Sequence, residues 1–206
     1  MSQPSRRALL VTALAAGVAG PVFAQTNDHM TIGAGDAPLH LTEFASLTCG
    51  HCAHFHEANW TTLKTRYIDT GRVRFTLHEM FTPPPAVALG MFQLARCNNA
   101  SADEYMRRVS ILFERQHAIL ATGTMQGIRD ALIAAGTEWG LTQAQVMASL
   151  NDPTGADRAR RSIEASTALG VQQTPHFHFN GVSGADPAFL TPDGMVRILD
   201  ARIAAL

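Results

Sequence analysis

The stretch Leu39–His56, LHLTEFASLTCGHCAHFH, constrains this chain more than any other. Leu39 to Ser46 alternates as a strand does, with Leu39, Leu41, Glu43 and Ala45 on one face and His40, Thr42, Phe44 and Ser46 on the other. From Cys49 to Tyr67 the spacing turns helical, because Phe55, Asn59, Leu63 and Tyr67 recur at every fourth position, and Gly71 ends the helix. Strand hands over to helix at Cys49-Gly50-His51-Cys52. Two cysteines at this spacing can close a small disulfide, chelate a metal, or do neither. The flanks narrow the choice. A strand-to-helix junction puts the first sulfur at a helix N-terminus, where free N–H groups and the macrodipole favour an anion. A cysteine held there is biased toward thiolate, the form that attacks disulfides.

The compartment is read from the other end of the chain. Met1–Ala24 has the form of a secretory signal: Arg6 and Arg7 as the charged region, Ala8 to Ala19 as a short apolar run, and Val22-Phe23-Ala24 as the cleavage site. Ser5-Arg6-Arg7 also fits a twin-arginine signal, and an uncleaved anchor is the competing reading. The apolar run is short and rich in Ala and Gly, unlike a membrane span. Cleavage after Ala24 leaves 14 basic against 17 acidic side chains, a formal charge of −3. Nothing basic points to nucleic acid or an anionic membrane surface. All three cysteines lie beyond residue 24, so pairing Cys49 with Cys52 leaves Cys97 alone. Closing so small a loop removes little entropy from the unfolded chain, so chemistry explains the pair better than stability does.

Gln25 to Asp36 reads as a polar arm with a short extended piece at Met30-Thr31-Ile32, and no heptad pattern there suggests an oligomerisation stalk. Val73, Phe75 and Leu77 alternate in a second strand, Arg72 to Met80; strand, helix and strand make a βαβ unit with a right-handed crossover and a parallel pair. Pro83-Pro84-Pro85 stops that strand. From Ala86 to about Gly170 only helical pattern is present, with breaks near 98–101, 118–124, 140 and 151–153 and caps at Thr124, Thr142 and Asp152. These breaks predict four or five helices. Strand signal returns at His176-Phe177-His178-Phe179, and Asn180-Gly181 offers a tight turn to a second strand, Val182 to Gly184. Thr191-Pro192 starts a last helix to Leu206. The two β-containing pieces are expected to complete one α/β sheet, with the helical block as an insertion.

Strand–Cys-x-x-Cys–helix, a helical insertion and a late Thr-Pro before a hairpin resemble the thioredoxin fold of the DsbA type. The matching residues are Glu43-Phe44, Cys49-Gly50-His51-Cys52 and Val171-Gln172-Gln173-Thr174-Pro175. Beyond the signal-like segment 1–24, the resemblance implies thioredoxin-fold pieces over 25–82 and 171–206, and an inserted helical domain over 83–170. It implies Cys49 as nucleophile and Cys52 as buried resolving thiol. Helix geometry supports the split, since only the first sulfur sits where N–H dipoles converge. His51 can donate a hydrogen bond or add positive charge beside a Cys49 thiolate. A solvated surface histidine is the plainer reading.

Glu43 shares the Leu39 and Leu41 face, which places it beneath the dithiol, where the family uses an acid to move protons to and from the resolving cysteine; a glutamate with its head in water is the alternative. Thr174-Pro175 is expected to be cis, with the Thr174 backbone free to pair with an extended substrate; a trans proline opening a strand is the alternative. His176 departs from the small or apolar residues expected there and puts a second titratable ring near the sulfurs. Cys97 reads as a buried structural thiol. His51, His54, His56, His176 and His178 raise zinc or copper binding, but His51 and His54 lie one turn apart while His56 falls on another face, and no metal or other cofactor is expected.

The expected protein is a periplasmic thiol–disulfide oxidoreductase, a monomer that forms or exchanges disulfides in unfolded secreted proteins bearing free cysteines. A membrane redox partner, a quinone-linked oxidase or a reductase, would reset the pair. A disulfide reductase or isomerase of the same fold is the alternative, and a copper or zinc carrier the reading from another class.

Overall fold

The computed structural model describes residues 28–184 and 186–206, so the signal-peptide reading of 1–24 lies outside the described residues. Five strands form one sheet in the order β1-β3-β2-β4-β5: β1 Met30–Ile32, β2 Leu39–Ala45, β3 Val73–Glu79, β4 His176–Phe179 and β5 Val182–Gly184. β2 and β3 are parallel with Glu43 opposite Leu77, as a βαβ crossover requires. β4 returns antiparallel beside β2, with Glu43 opposite Phe177 and Phe44 opposite His176. β2 is therefore central, and Leu41, Glu43, Phe44 and Ala45 are all buried. Among the described residues, no helix is long and apolar enough to cross a membrane.

The crossover helix α1 spans Gly50–Thr62 and continues as a π-helical segment, Leu63–Ile68, before Gly71 (φ +71°) turns the chain into β3. Phe55, Asn59, Leu63 and Tyr67 are fully buried, so the four-residue spacing marks the packed face even where the helix widens. Between β3 and β4 run six helices rather than the four or five expected: α2 Pro85–Arg96, α3 Ala102–Glu114, α4 Gln116–Ala121, α5 Met125–Glu138, α6 Gln143–Leu150 and α7 Pro153–Ala168. The unexpected break falls at the single residue Arg115, with no Gly or Pro to announce it. Thr124, Thr142 and Asp152 each cap a helix, Thr142 within a capping box closed by Gln145. A 3-10 turn at Pro187–Leu190, absent from the sequence reading, precedes α8 Pro192–Ala204.

The two sheet faces carry different cores. On one, Phe55 of α1 meets Phe177 of β4 and Phe189 of the 3-10 turn. On the other, Phe44 and His78 lie under α7, where His78 Nε2 donates to the Ser162 carbonyl at 2.9 Å and Ser162 Oγ donates to the Glu79 carbonyl at 2.6 Å.

Candidate active site

The loop between β2 and α1 is held before any sulfur is considered. Ser46 Oγ accepts from the Thr82 amide (3.1 Å) and hydroxyl (2.9 Å), while Thr48 Oγ1 donates to the Thr82 carbonyl at 2.8 Å. From the helical stretch, Gln116 Nε2 donates to the Leu47 and Cys49 carbonyls at 2.9 and 3.0 Å. Gln116 is buried and the sequence reading missed it, because its role depends on α4 folding back across the molecule.

Cys49 is the N-cap of α1, in extended conformation (φ −90°, ψ 115°), and its sulfur accepts from the Cys52 amide at 3.4 Å. A cap position normally belongs to Ser, Thr, Asp or Asn, so a sulfur here takes the place of a capping oxygen. The same sulfur reaches the Thr174 carbonyl at 3.4 Å, a contact that only the thiol form can donate. Four other bonds favour the anion. The Cys52 thiol is the largest influence; burial opposes it, and the Thr174 hydroxyl and the backbone N–H groups of Cys52 and His51 reinforce it, so that the Cys49 pKa falls from 9.0 to about 5. His51 itself is exposed, and its contribution comes from the backbone rather than the ring.

Cys52 is fully buried. Burial, then the bond to Cys49 and the negative charges of Cys49 and Glu43, push its thiol well above the ordinary range. Both are free thiols in this structure. The sulfurs thus differ sharply although they sit three residues apart: one half-buried and stabilised as anion, the other dry and held neutral.

Glu43 lies fully buried on the α1 side of the sheet, and its Oε2 meets His56 Nε2 at 2.9 Å. His56, which the sequence sets on a different face from His51 and His54, is buried one helical turn beyond Cys52. The Thr174–Pro175 peptide is cis and lies against Cys49. His176 does not take the place expected of it. Its ring packs against Phe44 and His178 and bonds Ser183 Oγ at 3.0 Å, on the sheet face away from α1, because a residue opposite Phe44 in register must share that residue's face. His51, His54 and His56 therefore lie across the sheet from His176 and His178. Among the described residues, no three His, Cys, Asp or Glu side chains come together in a metal-holding group. Cys97 is buried at the end of α2, with its sulfur 3.6 Å from the Gln145 carbonyl.

Comparison with known proteins places this arrangement. A protein of Rickettsia typhi named "Putative protein-disulfide oxidoreductase" is 25% identical over 165 residues, covering 78% of this chain and 57% of that one. The chain thus spans less than two thirds of that relative's length. The crystal structure of Wolbachia pipientis alpha-DsbA1 superposes with a TM-score of 0.74 at 20% identity, covering 87% of this chain and 93% of that one. BdbD from Bacillus subtilis, in its oxidised form, gives 0.66 at 18% identity over 86% and 94%. These likenesses establish the fold as the DsbA-like thioredoxin fold. The family model described as "Thioredoxin" matches residues 25–201, nearly all of the chain beyond the signal-like segment, and the chain belongs to the thioredoxin family.

Proposed function

We propose that this protein is a periplasmic thiol–disulfide oxidoreductase of the oxidising kind, working through Cys49 and Cys52. The observation that carries the reading is the contrast between the two sulfurs. A cysteine of an unfolded secreted protein attacks Cys49 in the disulfide form, and Cys52 leaves. The substrate's second thiol then breaks the mixed disulfide, and the protein is left as the dithiol. The cis Thr174–Pro175 segment beside Cys49 supplies the backbone against which an extended substrate pairs. His51 flanks the nucleophile, and Glu43 serves the proton needs of Cys52. Export rests on the signal-like segment 1–24, by the general or the twin-arginine route. A membrane oxidase linked to quinone resets the pair, and the protein acts as a monomer.

The direction of exchange follows from thiolate stability. Lowering the Cys49 pKa from 9.0 to about 5 stabilises the dithiol form at neutral pH by about 2.7 kcal/mol, which raises the two-electron potential by roughly 60 mV. The test is the equilibrium potential of the Cys49–Cys52 pair in graded glutathione buffers. A value above about −180 mV, between protein disulfide isomerase and DsbA, is expected of a disulfide donor. A value near thioredoxin's roughly −270 mV would make the protein a reductase and reverse the proposed direction.

A further inference from the structure

Resting on that exchange reading, we propose that His56 is a positioning residue of the reaction: with Glu43 it forms a buried pair that holds one proton and passes it, through the Glu43 carboxyl, to Cys52 Sγ as that sulfur leaves. Four observations carry this. His56 lies four residues after Cys52 on α1, so both side chains project from the same buried face. The ring is clamped, stacked on Phe113 of α3 at 4.2 Å and on Trp60 at 5.2 Å. That clamp aims Nε2 at Glu43 Oε2, 2.9 Å away. Glu43 Oε1 and His56 Nδ1 have no hydrogen-bond partner among the described residues. A pair kept for stability alone is poorly served by two orphaned polar atoms in a dry site, where apolar side chains of the same volume often do as well.

The step balances as follows. A substrate thiolate forms a bond to Cys49 Sγ, the Cys49–Cys52 bond breaks, and the electron pair leaves on Cys52 Sγ. The proton moves from the Glu43 carboxyl to that sulfur, and His56 Nε2–H donates its hydrogen bond to the carboxylate left behind. Negative charge is thereby moved off Cys52 onto a pair that is neutral when protonated. Reoxidation runs the same transfers backward. The other titratable groups on α1 are Cys52 and the exposed His51, His54 and Glu57. β3 and β4 set Leu77 and Phe177 beside Glu43, α3 contributes Phe113 and the exposed Glu114, and α4 brings Gln116 and the exposed His117.

The experiment follows reduction of the oxidised protein by dithiothreitol in stopped flow, from about pH 5 to pH 8. The proteins are wild type, His56→Phe, His56→Gln, Glu43→Gln and the His56→Gln/Glu43→Gln double variant. His56→Gln keeps a donor toward Glu43 without its titratable proton, so it remains informative if the Phe variant fails to fold. Each single variant is expected to lose at least about tenfold in rate and to flatten the pH profile. The double variant should be no slower than the slower single one, because the two residues act as a unit. A folded His56→Gln protein with the wild-type rate overturns the proposal, and so does one that is slower but keeps the wild-type pH profile, as a structural role would give. Failure of the wild-type Cys49–Cys52 pair to cycle at all would instead overturn the exchange reading.

Discussion

Acid should loosen this protein through His78, which lies on the sheet face away from α1 and the dithiol. His78 is 4% exposed, stacked on His29 at 4.2 Å and packed with a tilted ring against Phe44 at 4.6 Å, and its Nε2 donates to the Ser162 carbonyl. Burial lowers its pKa from 6.5 to about 4, with His29 and His178 pushing the same way and the Ser162 bond opposing. The folded state therefore binds fewer protons than the unfolded chain between these two values. Stability from this group is complete above pH 6.5 and is lost as the pH falls through the folded pKa. The whole effect is about 3.4 kcal/mol, of which about 2 kcal/mol is lost between pH 7 and pH 4.5.

The perturbation that isolates this loss is His78→Gln, which keeps an amide donor for Ser162 but cannot take up a proton. Urea unfolding followed by far-ultraviolet dichroism gives stability for both proteins at each pH, and equal m-values verify that the same surface is exposed. Wild type should be the more stable protein at neutral pH, because Gln loses the ring stacking. Acidification should then narrow the gap by about 2 kcal/mol as only wild type absorbs the proton. Carboxylates titrate in both proteins and cancel in the difference. A gap that stays constant from pH 7 to pH 4.5 refutes the reasoning. His29, His176 and His178 are also shifted down by burial, so the variant should retain part of the acid sensitivity.

Two further outcomes follow from the site and the fold. In the reduced protein, alkylation of Cys49 should titrate with a midpoint at about 5, and Cys52→Ala should move that midpoint upward by removing the largest stabilising bond; an unmoved midpoint would assign the anion to the helix terminus alone. Gly194→Ala should destabilise the protein by at least about 2 kcal/mol in a thermal melt. Its Cβ would lie 1.9 Å from the Ala188 carbonyl oxygen, a backbone atom of the 3-10 turn; a near-normal melt would mean that the turn can move away from α8.

What could be read from the chain depended on whether a feature was local. Val73, Phe75 and Leu77 alternate because they share the face of β3 that packs toward α1, and Phe55, Asn59, Leu63 and Tyr67 repeat because they line the buried face of the crossover helix. Caps at Thr124, Thr142 and Asp152 were visible because each bonds its own first turn. Features set by distant partners stayed hidden. The break at Arg115 has no local marker, and it is what turns Gln116 toward the carbonyls of Leu47 and Cys49. His56 looked stray when compared only with His51 and His54, since its partner comes from β2. His176 was expected near the sulfurs because it follows Pro175, yet register with Phe44 puts its ring on the other side of the sheet. Sequence distance to a site does not report the face.

The asymmetry of the two sulfurs has two separate sources. Cys49 owes its position to local backbone geometry: a strand end, an extended cap residue, and amides already turned into the first helical turn. Any sequence that folds this junction provides most of that. Cys52 owes its neutrality to tertiary burial, and that burial depends on what covers α1. Phe113 of α3 covers the His56 ring beyond it, and Gln116 of α4 ties the loop preceding it. α3 therefore acts on the chemistry through the His56 side of Cys52, whereas α4 holds the loop that carries Cys49. Changes in α3 should alter the leaving sulfur and its proton supply, whereas changes at Gln116 of α4 or at the β2–α1 junction should alter the attacked one.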